Sequence, residues 1–275
     1  MILINGENKS NIEVTDRALQ YGDGLFETIA IKSGKAQFLD RHLKRLNVGC
    51  TRLRIPLPEH QLLASEVEKL AEDADQAVIK IIITRGSGGR GYRQPDYVHP
   101  TRIVSLHPYP DYPVSLKEQG IVARFCETRL GLNSTLAGIK HLNRLEQVMA
   151  RSEWRDPAIL EGIMFDNNGY VIEGTMTNLF YVNDNTLTTA QLDNSGVAGI
   201  IRGIILELSA NNGLRAVESK IRKAELLLAD EVFVCNSIIG IWPVRQIEQT
   251  HFSVGPITQR IQAWLTNYEQ ELPSI

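Results

Sequence analysis

The chain has 275 residues, 43% of them hydrophobic and 22% charged, with a net charge of −3. That is enough for one large domain or two modest ones with apolar cores. No Lys/Arg block calls for nucleic acid or an acidic membrane surface, since the arginines of the stretch Arg41–Arg54 are spaced by apolar residues at helical intervals. Cys50, Cys126 and Cys235 are odd in number, scattered and without CxxC spacing, and no His pair stands at ligand distance, so neither a disulfide framework nor a metal site is expected. The opening Met1-Ile-Leu-Ile-Asn-Gly turns polar too soon for a signal peptide, and no apolar run approaches a membrane span. A cytoplasmic location is the expectation.

In chain order, Ile2–Ile4 and Leu25–Ile31 read as strands, rich in Ile and Leu. Leu39, Leu43, Leu46, Cys50 and Leu53 then step by four and three, marking one buried helical stripe. Leu63, Val67 and Leu70 suggest a second helix, and Ala77–Thr84 and Arg102–His107 two more strands. Next comes Pro108-Tyr-Pro-Asp-Tyr-Pro113, whose prolines exclude a long helix or a central strand. An interdomain linker over 108–117 follows from it, between a smaller domain at 1–107 and a larger one at 118–275.

The second half opens with a strand at Ile121–Cys126 and a helix from Lys140 to Trp154. Ile163–Asp166 and Tyr170–Glu173 flank Asn167-Asn168-Gly169, and Asn178–Val182 and Thr186–Thr189 flank Asp184-Asn185; both read as hairpins, because Asn, Asp and Gly tolerate positive φ. A long helix spans Gly199–Asn212 and stops at Gly213, where a left-handed residue is wanted. Glu231–Cys235 is another strand, and Ile257–Glu269 a terminal helix. The fold class is mixed α and β (α+β) in two domains.

Four features can carry chemistry, and each has a plainer reading. Lys140, in Leu136-Ala-Gly-Ile-Lys-His-Leu-Asn-Arg-Leu145, stands where a small-residue segment meets the expected helix. An amine there would feel the positive end of the helix dipole, which favours the neutral form that imine chemistry needs; a solvated lysine is the alternative. Gly196-Val-Ala-Gly-Ile-Ile-Arg202 opens a helix with free backbone N–H groups that suit a phosphate, or is simply a turn. Glu173 ends a strand ahead of Gly-Thr-Met-Thr-Asn-Leu-Phe180, either as a surface carboxylate or as the partner of a protonated ring nitrogen. Cys235-Asn-Ser237 offers a hydroxyl at a strand end, or merely terminates the strand. Lys80, inside Val78-Ile-Lys-Ile-Ile-Ile83, either points out of a sheet or is buried.

Taken together and in this order, these segments resemble the branched-chain and D-amino-acid aminotransferase class of pyridoxal-phosphate enzymes, fold type IV. The most specific pieces are Tyr21-Gly-Asp-Gly-Leu-Phe-Glu27, Thr84-Arg-Gly-Ser-Gly-Gly-Arg-Gly-Tyr92, Ala137 to Val148 and Glu173 to Phe180. The resemblance runs from Ile4 to about Arg245. It implies a two-domain fold-type IV enzyme with pyridoxal 5'-phosphate as cofactor and homodimers as the assembly. By similarity Lys140 joins the cofactor aldehyde and moves the proton, and Glu173 pairs with the pyridine nitrogen. Arg45, Ile200, Ile201 and Ser237 would hold the phosphate; from its position beside the apolar stripe alone, Arg45 reads as solvated.

On the substrate side the resemblance implies Arg90, in a glycine-rich loop, as a carboxylate ligand, with a solvated loop arginine the other reading. Phe26 and Thr28 share a strand face that looks into the pocket in this class, so Thr28 is a candidate to orient substrate or water. Tyr109 is a further pocket candidate. Two departures favour a lyase over a transaminase. Met176 and Thr177 stand where transaminases commonly carry Gly and Glu, and the tyrosine that transaminases keep shortly after the lysine has no match, leaving Asn143 or water for the cofactor's phenolic oxygen. The implied activity is therefore a lyase acting on a small amine substrate with two carboxylates and releasing pyruvate. An aminotransferase for D- or branched-chain amino acids is the alternative, and a non-catalytic cofactor-binding protein the remote one.

Overall fold

The computed structural model describes residues 1–271, which form two compact units. One comprises Met1–Asp111 and Ile139–Arg144; the other comprises Tyr112–Gly138 and the chain from Leu145 onward.

The first unit is built from β1 (Ile2–Ile4), β2 (Glu7–Asn8), α1 (Arg17–Tyr21), β3 (Gly24–Lys32), β4 (Lys35–Ala36), α2 (Leu39–Leu53), α3 (His60–Ala71), β5 (Gln76–Thr84) and β6 (Thr101–Pro108). Its six-stranded sheet runs β2-β1-β6-β5-β3-β4, antiparallel throughout. β3 and β5 pair in unbroken register from Gly24↔Thr84 to Lys32↔Gln76. Alternation then sorts the side chains. Leu25, Ile29, Ile31, Ile79, Ile81, Ile83 and Val104 occupy one face and are fully buried. Helix α2 lies on that face, with Leu43, Leu46 and Cys50 turned inward as the apolar stripe requires. Gly49 lets it come close, since a Cβ there would lie 2.7 Å from a Leu25 methyl. The opposite face carries Phe26 and Thr28, both half-buried, with Thr28 in register with Lys80 and Lys80 with Ser105.

The second unit contains α4 (Ser115–Gln119), β7 (Ile121–Leu130), α5 (Leu145–Arg151), β8 (Ile159–Asp166), β9 (Tyr170–Gly174), β10 (Asn178–Asn183), β11 (Thr186–Ala190), α6 (Ile200–Asn211), β12 (Ala216–Ser219), β13 (Ile221–Arg222), α7 (Lys223–Leu227), β14 (Glu231–Asn236), β15 (Gly240–Ile247), β16 (Thr250–His251) and α8 (Pro256–Gln270). The strand order is β12-β11-β10-β14-β15-β7-β8-β9-β13, with β16 on β15. A further pairing of β9 with β10, at Glu173↔Asn178, closes β10, β14, β15, β7, β8 and β9 into a barrel. Closure removes the free edges that an open sheet would expose. Phe125, Phe165, Leu179, Val232, Val234, Trp242 and Val244 belong to one buried cluster of this unit. Both hairpins read from the sequence form, with Gly169 at φ 78° and Asp184 and Asn185 at 45° and 58°.

Three expectations are corrected. The helix read from Lys140 begins only at Leu145, because 139–144 is spent on strand-like pairing with β3. That pairing also places Lys140 in the first unit, although sequence order put it in the second domain. The linker is shorter than 108–117: Pro108 still pairs with Ala77 on β6, and a short helix starts at Ser115. Strand β15 carries a proline inside the ladder, a residue that disfavours a paired strand: Pro243 sits opposite Phe233.

Candidate active site

In the first unit, the segment bearing Lys140 lies along β3 at the end that β4 does not reach. The Phe26 amide donates to the Lys140 carbonyl at 2.9 Å, and the Leu142 amide to the Gly24 carbonyl at 3.0 Å. This grip fixes the Lys140 backbone, and its half-buried ammonium lies 4.4 Å from the centre of the Phe26 ring. The Lys80 amine approaches the same ring at 5.4 Å. Phe26, Thr28, Lys80 and Lys140 therefore gather on one side of the sheet. A helix dipole does not act on Lys140 as the sequence suggested, since that field fades within a turn and the helix starts five residues later.

On the helix-covered face, Glu27 is buried at 1% exposure and holds Arg45 with a fork of two bonds, Nε to Oε1 at 2.8 Å and Nη2 to Oε2 at 2.5 Å. His42 Nδ1 meets Glu27 Oε2 at 2.6 Å. Against the cost of burial, the Arg45 guanidinium brings the Glu27 carboxyl down to about 2. Burial lowers the His42 pKa despite Glu27, and the Arg45 and Lys140 charges push the same way. Arg45 is thus no solvated helix residue; its side chain is 12% exposed and clamped from inside. Glu27 and His42 went unread, because one apolar period cannot reveal a polar pair placed beneath it.

Lys140's neighbours are engaged as well. Arg144 Nη2 meets His141 Nε2 at 2.5 Å, which puts the ring proton on Nδ1, and burial followed by the Arg144 charge brings His141 down to about 4. Asn143, the candidate for the phenolic oxygen, donates its Nδ2 to the Gly22 carbonyl at 3.1 Å. Arg90 is exposed in its loop, whose Gly91 is tied at its amide to the Tyr21 hydroxyl and at its carbonyl to Arg17. Tyr109 is half-buried just past β6.

In the second unit, Glu173 is 4% exposed near the end of β9, and its Oε2 accepts the Val197 amide at 2.8 Å. Across the β9–β10 pair, Asn178 donates Nδ2 to the Val197 carbonyl at 2.9 Å. The Val197 turn leads into α6, whose N-cap is Gly199, with no side-chain cap bond and no acid in the first turn. The leading amides of Ile200 and Ile201 therefore form an uncapped, dipole-positive helix end suited to a phosphate. Ser237 lies half-buried in the turn after β14, where Asn236 Oδ1 accepts the Ile238 and Ile239 amides. Among the described residues no cluster suited to a metal ion occurs.

The second unit thus offers a buried carboxylate and an uncapped helix end, and the first a clamped arginine and a half-buried lysine, each a group of the kind that pyridoxal phosphate calls for. This is the chemistry of the amino-transferase class IV family, which matches residues 24–247. The chain belongs to that family, whose members depend on pyridoxal phosphate, and it shares their two-unit α+β fold. It is 36% identical to the aminodeoxychorismate lyase of Vibrio harveyi, over 95% of this chain and 98% of that one. The crystal structure of 4-amino-4-deoxychorismate lyase from Pseudomonas aeruginosa superposes with a TM-score of 0.94 at 43% identity, covering 97% of this chain and 98% of the other. The branched-chain amino acid aminotransferase of Escherichia coli gives 0.89 at 28% identity, covering 99% of this chain and 96% of that one.

Proposed function

We propose that the chain is a lyase that converts 4-amino-4-deoxychorismate to 4-aminobenzoate and pyruvate, a step toward folate. The observation that carries this reading is the near-complete match to two such lyases, at 36% and 43% identity against 28% for the aminotransferase structure. The departures at Met176 and Thr177 and the missing tyrosine point the same way.

Lys140 Nζ would hold the cofactor through its aldehyde carbon, and its free amine would take the proton from the substrate ring carbon that bears nitrogen. Bound pyridoxal phosphate supplies an electron sink for the charge left on that carbon. Lys140 returns the proton as the ether C–O bond to enolpyruvate breaks and the ring becomes aromatic. Atoms balance with no water, oxidant or amino acceptor. Glu173 keeps the pyridine nitrogen protonated, and Arg45, the Ile200 and Ile201 amides and the Ser237 hydroxyl hold the phosphate.

Thr28 orients the substrate, Phe26 and Tyr109 line its pocket, and Arg90 takes one carboxylate. Lys80 supplies the partner for the second, because its amine shares the Phe26 ring with Lys140. The protein works as a cytoplasmic homodimer. No helix among the described residues is long and apolar enough to cross a membrane.

Pyruvate release from 4-amino-4-deoxychorismate, followed through lactate dehydrogenase with no 2-oxo acid added, tests the reading. Steady pyruvate formation that is lost by several powers of ten in Lys140→Ala is expected. Activity that appears only when a 2-oxo acid acceptor is supplied would assign an aminotransferase instead. A protein that takes up no pyridoxal phosphate would exclude both.

A further inference from the structure

Glu161, on β8, is 1% exposed and its carboxylate meets only donors. Oε1 accepts the Gly162 amide at 2.8 Å, the Thr175 amide at 2.9 Å and the Thr175 hydroxyl at 2.6 Å. Oε2 accepts the Thr177 hydroxyl at 2.7 Å and, more loosely, the Met176 amide at 3.4 Å. None of these partners is a cation. A carboxylate is acceptor-only when ionised, so five N–H and O–H donors suit the charged form. Burial pushes its pKa up, and the threonine hydroxyls and the amides oppose that rise.

The turn that Glu161 grips joins Glu173 to Asn178. Gly174 within it must stay small, for a Cβ there would lie 2.2 Å from Thr177 Oγ1 and 2.6 Å from Glu161 Oε2. The turn also reaches the other end of the site: the Met176 carbonyl accepts Asn236 Nδ2 at 3.2 Å, and Asn236 Oδ1 shapes the Ser237 turn through the Ile238 and Ile239 amides. Met176 and Thr177 form one of the chain's departures from the transaminases, and both are used here.

We propose that Glu161 is a positioning residue: by clamping the turn of Thr175, Met176 and Thr177 it sets Glu173 for the pyridine ring and, through Asn236, Ser237 for the phosphate. The proposal rests on the reading that Glu173 and Ser237 serve the cofactor. Glu161 itself touches no reacting atom. Replacing one carboxylate oxygen by an amide NH₂ would set donor against donor, and deleting the Thr177 hydroxyl would remove one tether.

The test compares the parent holoenzyme with Glu161→Gln, Thr177→Val and Thr177→Ser. The readouts are the dissociation constant for pyridoxal phosphate, the pH midpoint of the bound cofactor's visible absorbance, and the melting temperature of the cofactor-free protein. Thr177→Val is expected to weaken cofactor binding by about tenfold, the weight of one hydrogen bond to a charged group. It should also move the pH midpoint, with Thr177→Ser restoring both; Glu161→Gln should do more of the same. If Glu161→Gln fails to fold, Thr177→Val decides. A lowered melting temperature with an unchanged dissociation constant and midpoint would reduce Glu161 to a structural tether and overturn the proposal. A parent protein that binds cofactor without pairing Glu173 to it, seen as a midpoint indifferent to Glu173→Gln, would sink the underlying reading instead.

Discussion

Glu173 and Asn178 hold one residue from two sides: the Val197 amide donates to Glu173 Oε2 at 2.8 Å, and Asn178 Nδ2 donates to the Val197 carbonyl at 2.9 Å. The hairpin between β9 and β10 thereby aims the start of α6. Removing one grip should loosen the helix entry without touching Glu173. Asn178→Ala is expected to weaken cofactor binding by about fivefold to tenfold, the worth of one net hydrogen bond. Absorbance titration with pyridoxal phosphate reads it, and unchanged affinity would show that the helix entry is held by other means.

Gly199 offers a sharper probe of the same entry. Its φ is an ordinary −64°, so backbone strain is not at issue, but an added Cβ would lie 2.0 Å from Asn178 Oδ1. Gly199→Ala should cost about 1–3 kcal/mol and depress cofactor affinity. Gly203, in the same helix, has nothing within 4 Å of a new Cβ. Gly203→Ala should therefore be neutral or stabilise by about 0.5–1 kcal/mol, since alanine suits a helix interior better than glycine. Equal melting shifts in the two variants would contradict this account.

Arg45→Met would leave the Glu27 carboxylate buried beside only His42. Stripping one partner from such a pair costs about 3–5 kcal/mol. The double variant with Glu27→Gln should recover part of that loss, so the two changes add to less than their sum in urea denaturation. Strict additivity would mean that the fork carries no coupling.

Acid should destabilise the chain in two stages. His42 and His141 both have lowered values, His141 to about 4, so below the ordinary histidine range the unfolded chain binds protons that the folded one refuses. Stability present at pH 7 is therefore lost as pH falls toward 4. Glu27, held to about 2, contributes stability that is full above the ordinary carboxylate range and fades as pH drops toward 2. Denaturant midpoints recorded from pH 8 to 3 should fall overall, with Glu161 working the other way because its raised value lets the folded chain take that proton first. A plateau between pH 6.5 and 4 would be the contrary result.

Cys50, Cys126 and Cys235 are free and buried, and burial pushes each thiol up to about 12. In the native protein at pH 8 a disulfide reagent should find almost no thiol, and all three after denaturation. A rapid native reaction would show that one of these elements, α2, β7 or β14, opens on the assay's timescale.

The elements were largely legible because their periods are strong. The stripe from Leu39 to Leu53 became α2, and the Ile-rich run after Ala77 became the central strand β5. What escaped was whatever depends on a partner distant in sequence. His42 is 0% exposed because Glu27 lies beneath it, and no helical spacing announces a strand carboxylate. Residues 140–144 have helix-like composition, yet pairing with β3 won over that local preference. Glu161, flanked by apolar strand residues, gave no sign that two threonine hydroxyls would close on it. The candidate cofactor ligands were named by resemblance, and the hydrogen bonds that hold them became visible only in the fold.

The six residues Ile139–Arg144 belong to a body whose other part ended at Asp111. A gene fragment stopping at Asp111 would thus lack the strip that satisfies the Phe26 amide and the Gly24 carbonyl, and would carry a raw, sticky margin on its sheet. Anyone wishing to graft this module onto another scaffold must transplant two separate stretches of sequence, because a single cut at the proline-rich junction severs it from its own lysine.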